Sequence, residues 1–273
     1  MQTAWLIDGM PQHGLTPADR GLAYGDGLFE TIAAPRGRVR RFDRHFARLS
    51  ASCERLGFAC PSREAIEADI AALLPASLDC VVKVIVTRGG GGRGYRPPRN
   101  ADPTRVIGVF PWPEYPQAHY HAGIRAVNCS IRLGENPAIA GLKHLCRLEQ
   151  VLAQREIAAI DAAEGLMCSV RGDVISGTMS NVFVAVDGQL CTPRVDRCGV
   201  AGVMRSEIID AARADGMKVH ERIIDPKELP RAAEMFFCNS VLGIWPVRVL
   251  DDIAFDVGKL TQSLMERLAV VPR

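Results

Sequence analysis

The stretch Cys80–Thr87 reads Cys-Val-Val-Lys-Val-Ile-Val-Thr, an almost unbroken apolar run rich in β-branched residues. A half-exposed strand would alternate polar and apolar positions, so this run is expected to be a strand buried on both faces. Val106–Phe110 is a second run of the same kind. Strand-like runs alternate with helix-period segments along the whole chain, and there is no internal repeat or low-complexity tract. The fold class is therefore α/β in the mixed α+β sense.

Asp43 is placed to cap a helix whose apolar positions Phe46, Leu49, Cys53 and Leu56 recur every three or four residues, with Gly57 as its stop. A second helix is expected from near Ser62 to Pro75. The proline-rich Pro111–Ala118 tract cannot sustain a ladder. It divides the chain into a smaller N-terminal domain (1–112), a linker (113–122) and a larger C-terminal domain (123–273). Beyond it the pattern gives a strand over Ile124–Ile131, a helix carrying Leu148, Val151 and Leu152, and hairpin turns at Arg171-Gly172-Asp173 and Asp187-Gly188. A helix opens near Gly202, strands fall around Val219 and Met235–Cys238, and a last helix starts near Gly258. This second part reads as a strongly bent sheet flanked by helices.

With 33 basic against 31 acidic residues the formal charge is only +2. No global field points to nucleic acid or an anionic membrane, which leaves a small-molecule function as the expectation. The nine cysteines are odd in number and scattered, several within apolar runs, as expected of reduced, buried thiols. No Cys/His grouping has metal-site spacing, so no structural metal is expected, and His119-x-His121 reads as a solvated loop pair. No secretory leader and no run long enough to cross a membrane is seen, and a cytoplasmic protein is expected.

Single candidates for chemistry are weak. Lys143, after Gly141-Leu142, is by itself a loop cation. Gly202-Val203-Met204-Arg205 opens a helix, where free amides and the helix dipole suit a phosphate, but every helix start offers that. The glycine-rich loop Gly89–Gly94 lacks the P-loop pattern and runs into Tyr-Arg-Pro-Pro rather than a helix. The arginines at 36, 38, 40, 41, 44 and 48 read as an exposed face with one member, Arg48, turned inward.

Taken in order, however, several stretches carry a resemblance. They are Arg20-Gly21-Leu22-Ala23-Tyr24-Gly25-Asp26-Gly27-Leu28-Phe29-Glu30-Thr31, His45-Phe46-Ala47-Arg48-Leu49, and Gly141-Leu142-Lys143. Three more follow: Gly177-Thr178-Met179-Ser180-Asn181-Val182-Phe183, Gly199–Arg205, and Asn239-Ser240 ahead of Ile244–Val247. In these motifs the chain resembles the fold-type IV pyridoxal-phosphate enzymes, over essentially its whole length. In Lys143–Leu152 and Gly92-Arg93-Gly94-Tyr95 it looks most like the aminodeoxychorismate lyases. The resemblance implies the two-domain architecture of D-amino-acid aminotransferase-like enzymes, with the cofactor lysine in the C-terminal domain.

It also implies pyridoxal 5'-phosphate as cofactor, a homodimer, and conversion of 4-amino-4-deoxychorismate to 4-aminobenzoate and pyruvate. Lys143 would attach the cofactor covalently and later act as base. Arg48, the Val203 and Met204 amides and Ser240 would hold its phosphate, with Asn181 and Ser176 also toward the cofactor. Arg93 and Tyr95 would grip a substrate carboxylate, joined at the substrate by Phe29, Arg147 and Asn239. Two positions depart from the pattern. Ser176 stands where the family usually has a glutamate facing the pyridine nitrogen, so the electron sink should be weaker. Cys146 stands where lyases commonly have asparagine. The alternatives are an aminotransferase of the same fold, for D-amino or branched-chain amino acids, and a cofactor-binding relative with weakened catalysis.

Overall fold

A computed structural model describes residues 3–11 and 14–269. The chain divides into two compact units. The first runs through Pro113 and takes in Leu142–Cys146; the second comprises Glu114–Gly141 and Arg147 onward.

The first unit contains β1 (Ala4–Ile7), β2 (Met10–Pro11), α1 (Arg20–Tyr24), β3 (Gly27–Ala34), α2 (Phe42–Leu56), α3 (Arg63–Leu73), β4 (Cys80–Thr87) and β5 (Thr104–Pro111). Its antiparallel sheet has the order β2-β1-β5-β4-β3. The two apolar runs are neighbouring strands, Val82 opposite Val109 and Val84 opposite Ile107, and all four side chains are buried. Helix α2 packs beside β3, and α3 beside β5.

Helix α2 starts one residue before Asp43, capped by Arg41 in a left-handed conformation. Asp43 instead lies in the first turn, where the dipole favours a carboxylate, and pairs with Arg63 at 2.7 Å. Gly57 ends the helix at φ 73° as its position predicts. Ser62 caps α3 by accepting from the Ala65 amide. That helix stops at Leu73 rather than Pro75, because Leu74 precedes a proline and is pushed out of the helical region to ψ 118°.

The second unit contains α4 (Ala118–His121), β6 (Ile124–Leu133), α5 (Leu148–Ala158), β7 (Glu164–Ser169), β8 (Val174–Gly177), β9 (Asn181–Val186), β10 (Gln189–Pro193), α6 (Val203–Ala214), β11 (Val219–Arg222), β12 (Glu234–Asn239), β13 (Gly243–Leu250), β14 (Ile253–Ala254) and α7 (Lys259–Arg267). Its strands run β11-β10-β9-β12-β13-β6-β7-β8, with β14 beside β13. The sheet bends enough that Val174, at the start of the β8 edge, donates its amide to Ile224 just past the β11 edge, at 3.0 Å. Phe183, Phe236, Phe237 and Trp245 are among its largest fully buried side chains.

Two sequence expectations need correction here. His119 and His121 lie on α4, not in a solvated loop: His119 and Tyr115 each pack edge-on against Trp245 at 4.8 Å, so the second half of the expected linker belongs to this core. Likewise, Lys143 packs with the first unit rather than the C-terminal part of the chain. The reason is backbone pairing: Phe29 donates its amide to the Lys143 carbonyl at 2.9 Å, and Leu145 donates to Gly27 at 3.0 Å, so the segment lines the open edge of β3.

Candidate active site

In the first unit the site is built outward from β3. Alternation along the strand sends Phe29 and Glu30 to opposite faces. The Lys143 Nζ lies 4.3 Å from the centroid of the Phe29 ring, an apolar platform for a cation or an amine. Glu30 is 2% exposed and meets two residues one turn apart on α2. His45 Nδ1 lies 2.6 Å from its Oε2, and Arg48 donates from Nε to Oε1 at 2.8 Å and from Nη2 to Oε2. Arg48 is thus turned inward as expected, on a buried carboxylate rather than a surface one.

Burial works to raise the Glu30 carboxyl, but the His45 hydrogen bond and the Arg48 charge and hydrogen bond outweigh it, so it stays ionised below its usual range. Burial pushes His45 below its ordinary value, more than the Glu30 carboxylate lifts it. The neutral imidazole therefore carries its proton on Nδ1, facing Glu30, and its buried Nε2 has no hydrogen-bond partner among the described residues.

Arg93 and Tyr95 sit on the glycine-rich loop with both side chains exposed. Cys146, three residues past Lys143, is also exposed and places its Sγ 3.8 Å from the Tyr24 carbonyl, where the α1 turn ends. Its contact is with backbone, not with a polar side chain.

In the second unit, α6 begins at Gly202 with no side-chain cap, leaving the first-turn amides of Val203 and Met204 oriented for an anion. Asn181 positions that start: its Nδ2 donates to the Val200 carbonyl at 2.9 Å. A Cβ on residue 202 would lie 2.0 Å from Asn181 Oδ1, so only glycine allows this approach. Asn239 is committed to the β12–β13 turn, accepting from the Val241 and Leu242 amides at 2.8 Å and donating to Met179 at 3.1 Å. Ser240 follows it in the same turn, half-buried, and Arg147 directly precedes α5.

Ser176 is buried on β8, and its hydroxyl donates to the Gly177 carbonyl at 2.8 Å. With its proton so committed, the oxygen offers only lone pairs to anything else. One strand away, Glu164 is fully buried. Its Oε1 accepts from the Gly165 amide (2.9 Å) and from the Thr178 amide (3.0 Å) and hydroxyl, and its Oε2 accepts from Ser180 Oγ at 2.6 Å. Sequence reasoning did not single out Glu30, His45 or Glu164. Glu30 had a signal, a carboxylate inside an otherwise apolar strand; Glu164 had none.

The amino-transferase class IV family model matches residues 27–250, most of the chain, from the start of β3 to the end of β13. The chain belongs to the amino-transferase class IV family. It is 46% identical to 4-amino-4-deoxychorismate lyase from Pseudomonas aeruginosa, whose crystal structure superposes with a TM-score of 0.92 over 97% of both chains. It is 34% identical to aminodeoxychorismate lyase of Vibrio harveyi over 96% of this chain and 98% of that one. Similarity extends to the branched-chain-amino-acid aminotransferase of Escherichia coli, at 29% over 87% and 80% of the two chains.

Enzymes of the class IV family are pyridoxal-phosphate-dependent. The residues present fit that group. An uncapped helix start and a guanidinium held on a buried carboxylate both suit a phosphate, and Lys143 supplies a primary amine on a flat apolar platform.

Proposed function

We propose that this class IV enzyme is an aminodeoxychorismate lyase, converting 4-amino-4-deoxychorismate to 4-aminobenzoate and pyruvate. The observation that carries the reading is the placement of Lys143, backbone-paired to β3 with its Nζ over Phe29, in the same unit as the Glu30–His45–Arg48 cluster. Near-full-length similarity to two lyases favours this activity over transamination.

Pyridoxal phosphate would supply an aldehyde reactive toward amines and a ring that accepts electrons. Arg48, the Val203 and Met204 amides and the Ser240 hydroxyl are the groups that would neutralise its phosphate. The Lys143 Nζ would hold the cofactor and would serve as the base that takes the proton from the substrate carbon bearing the nitrogen. The carbon–oxygen bond to the enolpyruvyl group then breaks, the ring becomes aromatic, and the departing enol takes up a proton to give pyruvate. Because the product is aromatic, Ser176 would suffice at the position where a carboxylate would hold the pyridine nitrogen protonated. Arg93 and Tyr95 hold a substrate carboxylate, and Phe29, Arg147 and Asn239 shape the substrate's surroundings.

The enzyme is a cytoplasmic homodimer in this reading. Leu148, Val151 and Leu152 share one face of α5 and are 77%, 59% and 41% exposed, an apolar stripe suited to a second copy. All nine cysteines are free, as a reducing compartment requires. The decisive experiment assays pyruvate and 4-aminobenzoate release from aminodeoxychorismate by the purified protein and by Lys143→Ala. Release that vanishes in the variant, with loss of the protein-bound cofactor absorbance, is expected. Amino-group transfer between an amino acid and a 2-oxo acid, without 4-aminobenzoate, would replace the lyase with an aminotransferase.

A further inference from the structure

The glycine-rich loop, which lacks the P-loop pattern, is tied down by an arginine of α1. Arg20, at the start of α1, is only 4% exposed although it is an arginine. Its Nε donates to Asp26 Oδ2 at 2.8 Å, while Nη1 and Nη2 reach across to the carbonyls of Gly94 and Tyr95 at 3.0 and 2.9 Å. A Cβ on residue 91 would lie 2.9 Å from Arg20 Cδ, so the missing side chain at Gly91 is the passage through which the arginine stem runs. Further contacts bind the same loop to α1: the Gly94 amide donates to Tyr24 Oη at 3.0 Å, the Tyr24 and Tyr95 rings lie 5.4 Å apart, and Arg20 donates its own amide to Gly89 at 2.9 Å.

Asp26 is shared. Arg88 Nε donates to the same Oδ2 at 2.8 Å, and its two terminal nitrogens bind the Gly57 and Leu56 carbonyls at the end of α2. Burial works to raise the Asp26 carboxyl, and the hydrogen bonds and charges of Arg88 and Arg20 outweigh it, keeping the carboxylate charged between them. One carboxylate thus ties the loop bearing Arg93 and Tyr95 to the helix bearing Arg48.

We propose that Arg20 is a specificity-determining positioning residue, which fixes the 89–95 loop so that Arg93 and Tyr95 meet a substrate carboxylate in one geometry. This rests on the reading of Arg93 and Tyr95 as carboxylate-binding residues. A planar guanidinium is required because each acceptor is met by a different nitrogen of its fork, whereas an ammonium presents all its donors from a single nitrogen. Loosening the loop weakens recognition before and during the reaction alike, so the effect falls on KM rather than kcat.

The test compares Arg20→Met, Arg20→Lys, Gly91→Ala and Arg93→Ala as cofactor-loaded enzymes. Arg20→Met is expected to raise KM for aminodeoxychorismate about tenfold with kcat within about twofold, because uniform binding is lost. It should also weaken inhibition by 4-aminobenzoate but not by its methyl ester, and speed hydrogen exchange across 89–95. Arg20→Lys should not rescue, and Gly91→Ala, which displaces the Arg20 stem, should show the same signature more weakly. Gly91→Ala carries the test if Arg20→Met does not fold. If Arg93→Ala raises KM while Arg20→Met and Gly91→Ala change neither KM nor exchange, Arg20 has no such role. If Arg93→Ala leaves KM and 4-aminobenzoate inhibition intact, the carboxylate reading of the loop falls and this proposal with it, whatever exchange shows.

Discussion

Replacing Glu30 with glutamine changes no volume, yet the geometry around it leaves the amide no satisfactory orientation. If the NH2 takes the Oε1 position, it meets Arg48 Nε–H at 2.8 Å, donor against donor. Placed at Oε2 it meets Arg48 Nη2, and although His45 can move its proton to Nε2 and accept, the guanidinium cannot reverse. Arg48 also loses the charge that compensates it while its side chain is only 14% exposed. Breaking a buried pair by neutralising one partner costs about 3–5 kcal/mol, and the residual exposure of Arg48 brings the expected loss to roughly 2–4 kcal/mol. Urea denaturation of the cofactor-free proteins at pH 7.5 measures it, with unchanged m values as the check on two-state behaviour. A loss under about 1 kcal/mol would refute the view that Arg48 depends on this carboxylate.

The pH dependence carries the sign. His45 is held below its ordinary value of 6.5, so the unfolded chain takes up a proton first and wild-type stability falls as pH drops through that value. Removing the carboxylate removes what raises the imidazole, so in Glu30→Gln the fall continues to lower pH and the gap between the proteins widens once pH drops below the folded value of wild-type His45. Glu30 itself is held below 4.5, so its contribution is present above that value and is lost as pH falls through its lower folded value; there the gap closes again.

Two further outcomes follow from the second unit. Ser176→Glu should shift the absorbance of the bound cofactor and change lyase turnover, because a carboxylate holds a proton on the pyridine nitrogen where a hydroxyl does not; an unchanged spectrum and rate would remove the proton argument. Glu164→Gln should cost only about 1–2 kcal/mol in thermal or urea unfolding, since Ser180 Oγ can turn from donor to acceptor; a loss as large as that of Glu30→Gln would contradict this.

What was legible in the sequence is what hydrophobic pattern controls. The Cys80–Thr87 run appears as β4 without an end shifted, and Gly57 stops α2 where a left-handed cap is needed. Asp43 was misread as the cap because Arg41 adopts the left-handed conformation there, which no propensity favours. The membership of Lys143 in the first unit was not readable, since it depends on two backbone hydrogen bonds to β3 from a segment more than a hundred residues away along the chain. Leu148, Val151 and Leu152 lie on a helix as the pattern predicts, but the pattern does not say whether they are covered by this chain, and here they are exposed.

Two of the three side chains missed, Glu30 and Glu164, are carboxylates removed from water and surrounded by donors. Composition treats Asp and Glu as surface residues, so a buried one shows only where, like Glu30, it interrupts an apolar strand, and Glu164 does not. What distinguishes them is whether those partners can reverse. Glu30 and Asp26 face arginine N–H groups, which only donate, and at these positions charge and orientation are fixed together. One oxygen of Glu164 faces a hydroxyl, which accepts as readily as it donates. The carboxylates beside Arg48 and Arg20 therefore set the direction of the cations proposed to bind phosphate and to hold the substrate loop, whereas Glu164 sets only the shape of the Thr178–Ser180 turn. Substitution by an isosteric amide separates the two kinds, because it preserves shape everywhere and preserves hydrogen bonding only where a partner can turn round.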